Sequence, residues 1–226
     1  ETIDGSKINN WLTVNDNFEV EFDKDKIKKY MLELSKTYDT IGKTRSFVTT
    51  SGRTINVGGG DYGWDINSDK ETENLITYIK QGGTVKKEPT YSQTAASHGA
   101  NDIGNTYVEV DLSDQHLWFY KNGSLVVQGD VVTGNVSQGH PTPEGIYWVK
   151  YKERHATLKG EGYSSPVDYW MPFNGGIGIH DAGWRSEFGG SIYMSSGSHG
   201  CVNSPYYLAR TIYQNIDKGT PVVCYY

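Results

Sequence analysis

The chain has 226 residues, with 21 Lys and Arg against 27 Asp and Glu, for a formal net charge of -6. That length can bury a substantial core in one or two domains, and an acidic balance without a Lys/Arg cluster argues against a nucleic-acid partner. No run of about 18 apolar residues occurs, no triplet glycine period points to collagen, and 2 cysteines are too few for a disulfide framework or a four-cysteine zinc site. The 17 Tyr and 6 Trp fit a β-rich fold with a wet surface that faces sugar or peptide. The chain opens on Glu1, which points to a processed or trimmed chain, with any membrane anchor lying upstream.

The first hundred residues read as mixed α/β. Ile27, Tyr30, Met31, Leu34 and Tyr38 recur at helical spacing after the acidic stretch 23–25. Residues 46–50 and 54–57 are β-prone runs joined around Ser51 and Gly52. Ser68-Asp69-Lys70-Glu71 has the form of a capping box, with Ser68 as the cap. It opens a helix bearing Leu75, Ile76 and Ile79, which Gln81-Gly82-Gly83 stops. Between these elements, the segment 58–64 lacks a P-loop lysine and dinucleotide-binding spacing, and reads as a glycine-rich turn.

Residues 90–104 are small, polar and without periodicity, as in a linker. This divides the chain into residues 1–100 and 105–226, the second part being expected to fold by itself. Beyond the linker, Val108, Val110 and Leu112 alternate with Glu109 and Asp111. Runs 116–120 and 124–128 flank Lys121-Asn122-Gly123, a strong hairpin signal. Further strands are expected at 146–151, 176–180 and 222–226. One helix is expected after Ser204 as cap and Pro205, with Leu208, Ile212 and Ile216 as its stripe and Gly219 at its end. Residues 152–173 have little periodicity and read as a long loop, either a lid just before His180 or a passive surface loop.

The densest chemistry lies in Ser198-His199-Gly200-Cys201-Val202-Asn203, with His180 upstream. A nearby imidazolium lowers a thiol's pKa, so Cys with His is the minimal nucleophilic pair. Gly200 beside the thiol lets backbone N–H groups approach a tetrahedral oxyanion. Other readings stay open from these residues: a buried structural thiol, hydrogen-bonded structural histidines, zinc held by His180, His199 and Cys201, or a Cys201–Cys224 disulfide. His180 is the expected base, because it ends an apolar strand before the Asp181-Ala182-Gly183 turn, where a carbonyl could fix its tautomer. His199 is expected to hold the loop.

His180, seventeen residues and then the hexapeptide from Ser198 to Asn203 closely resemble the signature of the L,D-transpeptidase catalytic domain family. Residues 107–112 with Ser113, Gln115 and Tyr120 resemble its opening hairpin, and Thr142-Pro143-Glu144-Gly145 its Thr-Pro-x-Gly turn. The resemblance covers about 105–226. The segment before it, with Arg53 and residues 59–64, more loosely resembles the peptidoglycan-binding domain upstream in some Gram-positive members.

The resemblance implies an α+β N-terminal domain, then a mostly β catalytic domain, sandwich-like with one or two helices. It implies an extracytoplasmic, wall-facing enzyme that links peptidoglycan stem peptides 3→3. The Cys201 thiolate would attack the donor tetrapeptide, expel D-Ala, and leave a thioester that an amine of a neighbouring stem resolves. Acylation by carbapenems is implied; a cofactor or metal is not. In these terms Cys201 is the nucleophile, His180 the base, and the Asp181 carbonyl the group that orients it. The N–H groups of Cys201, Gly200 and His199 form the oxyanion hole. Ser198, Asn203, Gly175 and Gly176 fall at donor contacts, and Tyr163 and Trp184 are candidates for an aromatic wall or for lid packing. An L,D-carboxypeptidase would use the same site with water as acceptor, and a non-catalytic wall-binding protein is the third class.

Overall fold

A computed structural model describes residues 1–99, 101–160 and 162–226, with Tyr163 described by its backbone alone. The elements run in order α1 (Gly5–Ile8), β1 (Leu12–Val14), β2 (Val20–Phe22), α2 (Lys24–Tyr38), β3 (Arg45–Val48) and β4 (Thr54–Val57). β5 (Asp65–Ile66), α3 (Ser68–Gln81) and β6 (Tyr91–Gln93) follow. Next come β7 (Tyr107–Asp111), β8 (His116–Lys121), β9 (Ser124–Asp130), β10 (Gly145–Trp148), β11 (Glu153–Gly160) and β12 (Tyr163–Asn174). The chain finishes with β13 (Ile177–Asp181), α4 (Ile192–Ser196), β14 (Val202–Ser204), α5 (Tyr206–Asn215) and β15 (Pro221–Tyr225).

The chain separates into two compact units, Glu1–Thr40 with Gly63–Thr94, and Ile41–Tyr62 with Ala95–Tyr226. In the first, α2 begins where Asp23 accepts the Lys26 N–H at 3.1 Å and buries Ile27, Met31 and Ser35. The α3 cap lies one residue earlier than the sequence pattern indicates. Asn67 accepts the Lys70 N–H, while the Ser68 hydroxyl is taken by Ser35 at 2.8 Å. Glu71 does not close a capping box, because it binds Lys87 and the Thr90 N–H instead. Residues 90–104 are not all linker: β6 pairs with β5, and Trp64 packs on Tyr91.

In the second unit two sheets share one core. A five-stranded sheet runs β10-β15-β7-β8-β9 and a four-stranded sheet runs β11-β12-β13-β14. Val108, Val110, Leu117, Phe119 and Val222 from the first face Met171, Phe173, Ile179 and Val202 from the second, with Leu208, Ala209 and Ile212 of α5. This is the expected sandwich-like β domain with few helices. Asn122 and Gly123 both have positive φ, as a tight two-residue β8–β9 turn requires.

Three expectations change. Residues 152–173 form the β11–β12 hairpin rather than an irregular loop. Pro166 and Pro172 hide this strand in the sequence, but Pro172 sits where the β12–β13 register shifts at a bulge, a place that tolerates a missing N–H. Ser204 belongs to β14 and makes no cap; Pro205 takes the cap position. α5 stops at Asn215, before Ile216 and Gly219, with Ile216 still buried in the core.

The other face of the five-stranded sheet is also covered. The β3–β4 hairpin, which the sequence groups with residues 1–100, packs Phe47 and Val57, along with Tyr62, against Ile146, Val223 and Tyr225. Glu109 and Asp111 therefore alternate as expected, yet both are buried. Glu109 accepts from Thr50 N–H at 2.8 Å, Thr50 Oγ1 at 2.6 Å and Tyr225 O–H at 2.6 Å, and Asp111 pairs with Arg53 at 3.0 Å. The glycine-rich segment lies along the free edge of β10, where Gly59 O accepts the Ile146 N–H and Tyr62 N–H donates to Ile146 O. Gly60 has φ +76, and a Cβ there would collide with the Ile146 carbonyl. Replacing Phe47 with Ala is expected to destabilise this unit by about 3–5 kcal/mol in denaturant unfolding. A loss below about 1 kcal/mol would show that the hairpin contributes little to the catalytic core.

Candidate active site

The site is built on the parallel pair β13–β14. Ile179 aligns with Val202 and His180 with Asn203, so Cys201, just before β14, lies beside Gly178 near the start of β13. Its loop is pinned from the other side. Ser198 N–H donates to Thr133 O, Asn135 N–H to Ser198 O, and Asn203 and Val132 exchange backbone bonds at 2.9 Å. Thr142 ties its turn to the same loop: its hydroxyl donates to Gly200 O at 2.6 Å and accepts from Gly134 N–H at 3.0 Å.

The Cys201 thiol is half-buried against Trp170, Ala156 and Val167. It donates to Gly176 O at 3.5 Å and accepts from Gly178 N–H. Burial pushes the thiol up to about 11, against which the Gly178 N–H acts. His180 is buried, and its Nδ1 bonds the Asp181 carbonyl at 2.8 Å, which directs Nε2 to the other side of the ring. Burial lowers its pKa below the ordinary imidazole value, while the Asp181 carbonyl opposes this. Burial thus works against the charged form of each group, the thiolate and the imidazolium.

Other expected residues divide into two groups. Trp184 lies over His180 at 5.8 Å between ring centroids, and Gly175 and Gly176 form the exposed β12–β13 turn beside the thiol. Asn203 is buried on the His180 register, and its Oδ1 has no partner. Ser198, by contrast, spends its hydroxyl inside the loop: it donates to Cys201 O at 2.6 Å and accepts from Gly200 N–H at 3.1 Å. The Gly200 N–H, expected in the oxyanion hole, is thus already engaged. Gly200 has φ +114, and a Cβ there would press on Ile177. His199 is exposed, with its ring 5.1 Å from His140. The Tyr163 side chain lies outside the described residues.

Both cysteines are free, and Cys224 lies in the main core on β15. No group of three His, Cys, Asp or Glu is placed to hold a metal among the described residues. Sequence reasoning missed Trp170, which pairs with His180 in register at 5.8 Å between rings and backs the thiol. Only the β12–β13 register brings it there.

Residues 105–224 match the family described as "L,D-transpeptidase catalytic domain", and residues 2–86 match "Putative peptidoglycan binding domain". A crystal structure of a cysteine-to-serine mutant of Enterococcus faecium L,D-transpeptidase is 38% identical, covering 99% of this chain and 90% of that one, with a TM-score of 0.77. The avibactam carbamoyl enzyme of Ldtfm is 38% identical over 99% of this chain and 88% of that one, at a TM-score of 0.78. The solution structure of the Enterococcus faecium catalytic domain acylated by ertapenem is 44% identical, covering 54% and 98%, at a TM-score of 0.50. The chain belongs to the L,D-transpeptidase catalytic domain family and is an enzyme of that type. With the peptidoglycan-binding family match upstream, it is a cell-wall-associated protein. Among the described residues, no helix is long and apolar enough to cross a membrane.

These two shifts have a pH signature. His180 remains unprotonated below the ordinary imidazole pKa, so thiol acylation by a carbapenem should stay level as pH falls from 8 to about 6.5 and decline only below it. Iodoacetamide, which needs a preformed thiolate, should alkylate Cys201 slowly at neutral pH and faster toward pH 10. Fast alkylation at pH 6 would reveal a thiolate–imidazolium pair instead. The same shift affects folding: the unfolded chain takes up the His180 proton first, so this group's contribution to stability falls as pH drops below about 6.5.

Proposed function

We propose that the protein forms 3→3 cross-links between peptidoglycan stem peptides through a thioester at Cys201. The observation that carries this reading is the Cys201 thiol held at Gly176 and Gly178, at the start of the strand that carries His180, whose tautomer is set by the Asp181 carbonyl. During attack the Sγ proton passes to His180 Nε2 while sulfur bonds the carbonyl carbon of the third stem residue. The Cys201 N–H faces the developing oxyanion, since the Gly200 N–H is held by Ser198. The C–N bond then breaks, His180 returns its proton to the departing D-Ala amine, and a thioester remains. An acceptor amine gives a proton to His180, attacks the thioester and regenerates the thiol. Gly175, Gly176, Asn203 and Trp184 border the donor, and the β11–β12 hairpin flanks it as a lid. Carbapenems open on the same thiol, a reading supported by the ertapenem-acylated relative.

The test is incubation with a disaccharide tetrapeptide, followed by mass spectrometry. Dimers with one D-Ala lost per bond formed are expected. Disaccharide tripeptide and free D-Ala without dimer would instead make the enzyme an L,D-carboxypeptidase.

A further inference from the structure

We infer that Arg185 is the residue that recognises the carboxylate next to the scissile C–N bond. The inference rests on the acyl-transfer reading above and deepens it, by naming the group of the donor that the site reads.

His180 must face the departing nitrogen in order to protonate it. In a terminal D-Ala, that nitrogen is two bonds from the carboxylate carbon, so the carboxylate has to lie close to the imidazole. The charged groups acting on His180 are Asp181 and Arg185. Asp181 is turned away: its Oδ1 accepts the Asp168 and Tyr169 N–H groups at 2.9 and 2.7 Å. Arg185 is the cation, carried one residue beyond Trp184, whose ring covers His180. Its N–H donates to Ala182 O at 3.0 Å, closing a turn that folds this segment back beside β13.

The guanidinium is half used. One amino group donates to Ser196 O at 2.8 Å, whereas Nε is buried with no partner. An unpaired buried donor on a cation is costly, and a carboxylate is the acceptor that best matches the planar fork. A carbapenem carries the same sequence of carbonyl, nitrogen, carbon and carboxylate, so one cation would serve donor and inhibitor alike. Arg185 takes no proton and forms no covalent bond; it holds the leaving group so that its nitrogen meets His180.

The experiment compares two donors, a tetrapeptide stem ending in D-Ala and the same stem ending in D-alaninamide, by the rate of adduct formation at Cys201. The wild-type enzyme should favour the acid by about 10- to 100-fold in kcat/KM, the scale of a charge-assisted hydrogen bond. In Arg185→Gln the ratio should collapse to near one, and Arg185→Lys should restore part of it. A role confined to tying the loop to Ser196 would slow both donors equally and leave the ratio intact, which would overturn the proposal. So would a wild-type ratio near one. Should Arg185→Gln fail to fold, the wild-type ratio is followed with rising salt: the preference for the acid should shrink, and an unchanged ratio would count against Arg185. Absence of any Cys201 adduct in the wild type would instead sink the acyl-transfer reading itself.

Discussion

Cys201→Ala should abolish both dimer formation and the carbapenem adduct while the protein stays folded. The side chain is half-buried at the rim of a small cluster with Trp170, so the truncation removes little packing, and the loss of stability should be about 1 kcal/mol. The chemistry has no substitute nucleophile, because Cys224 lies fully buried in the core, where burial raises its pKa strongly. Cys224→Ala should therefore leave the adduct in place, at some cost in stability. Mass spectrometry of the intact protein with ertapenem, followed by peptide mapping, reads both outcomes. An adduct on Cys224, or turnover by the Cys201 variant, would remove the thiol from its assigned role.

His180→Ala is expected to slow acylation by roughly 10²–10⁴-fold, the scale on which a positioned general base acts. His199→Ala should cost much less. The two histidines differ in support: His180 is buried with Nδ1 held at 2.8 Å, whereas His199 is exposed beside His140. Acylation rates of each variant across pH 5 to 9 separate them. The acid limb should vanish with His180 and persist without His199. If His199→Ala removes that limb and His180→Ala keeps it, the roles must be exchanged.

Much of this organisation was legible in the chain. Helical spacing marked α2 after Asp23, alternation marked β7, and the Asn122-Gly123 pair marked the β8–β9 turn. Such signals are local, since they reflect backbone periodicity and turn sterics over a few residues. The hexapeptide around Cys201 and the distant His180 carried the family, because that chemistry tolerates few residue types.

Long-range pairing decided the rest. The β12 strand was masked by Pro166 and Pro172, whose loop signal is overridden by the bulge and by Met171 and Phe173 in the core. Glu109 and Asp111 show in the sequence only as the residues alternating with Val108, Val110 and Leu112, but the β3–β4 hairpin closes over them and supplies Thr50 and Arg53 as partners. No local pattern states which surface a hairpin will cover. The same holds at the site. Residue types alone identified Cys201 and His180 as a candidate pair, but the parallel β13–β14 register puts Cys201 next to Gly178, two residues before His180 on the same strand. The β12–β13 register backs the thiol with Trp170, and a turn closed by the Arg185 N–H on Ala182 O follows His180. Residue identity determines which chemistry the chain can perform, while strand pairing across many residues determines which groups meet, because contacts so far apart in sequence leave no periodic trace in it.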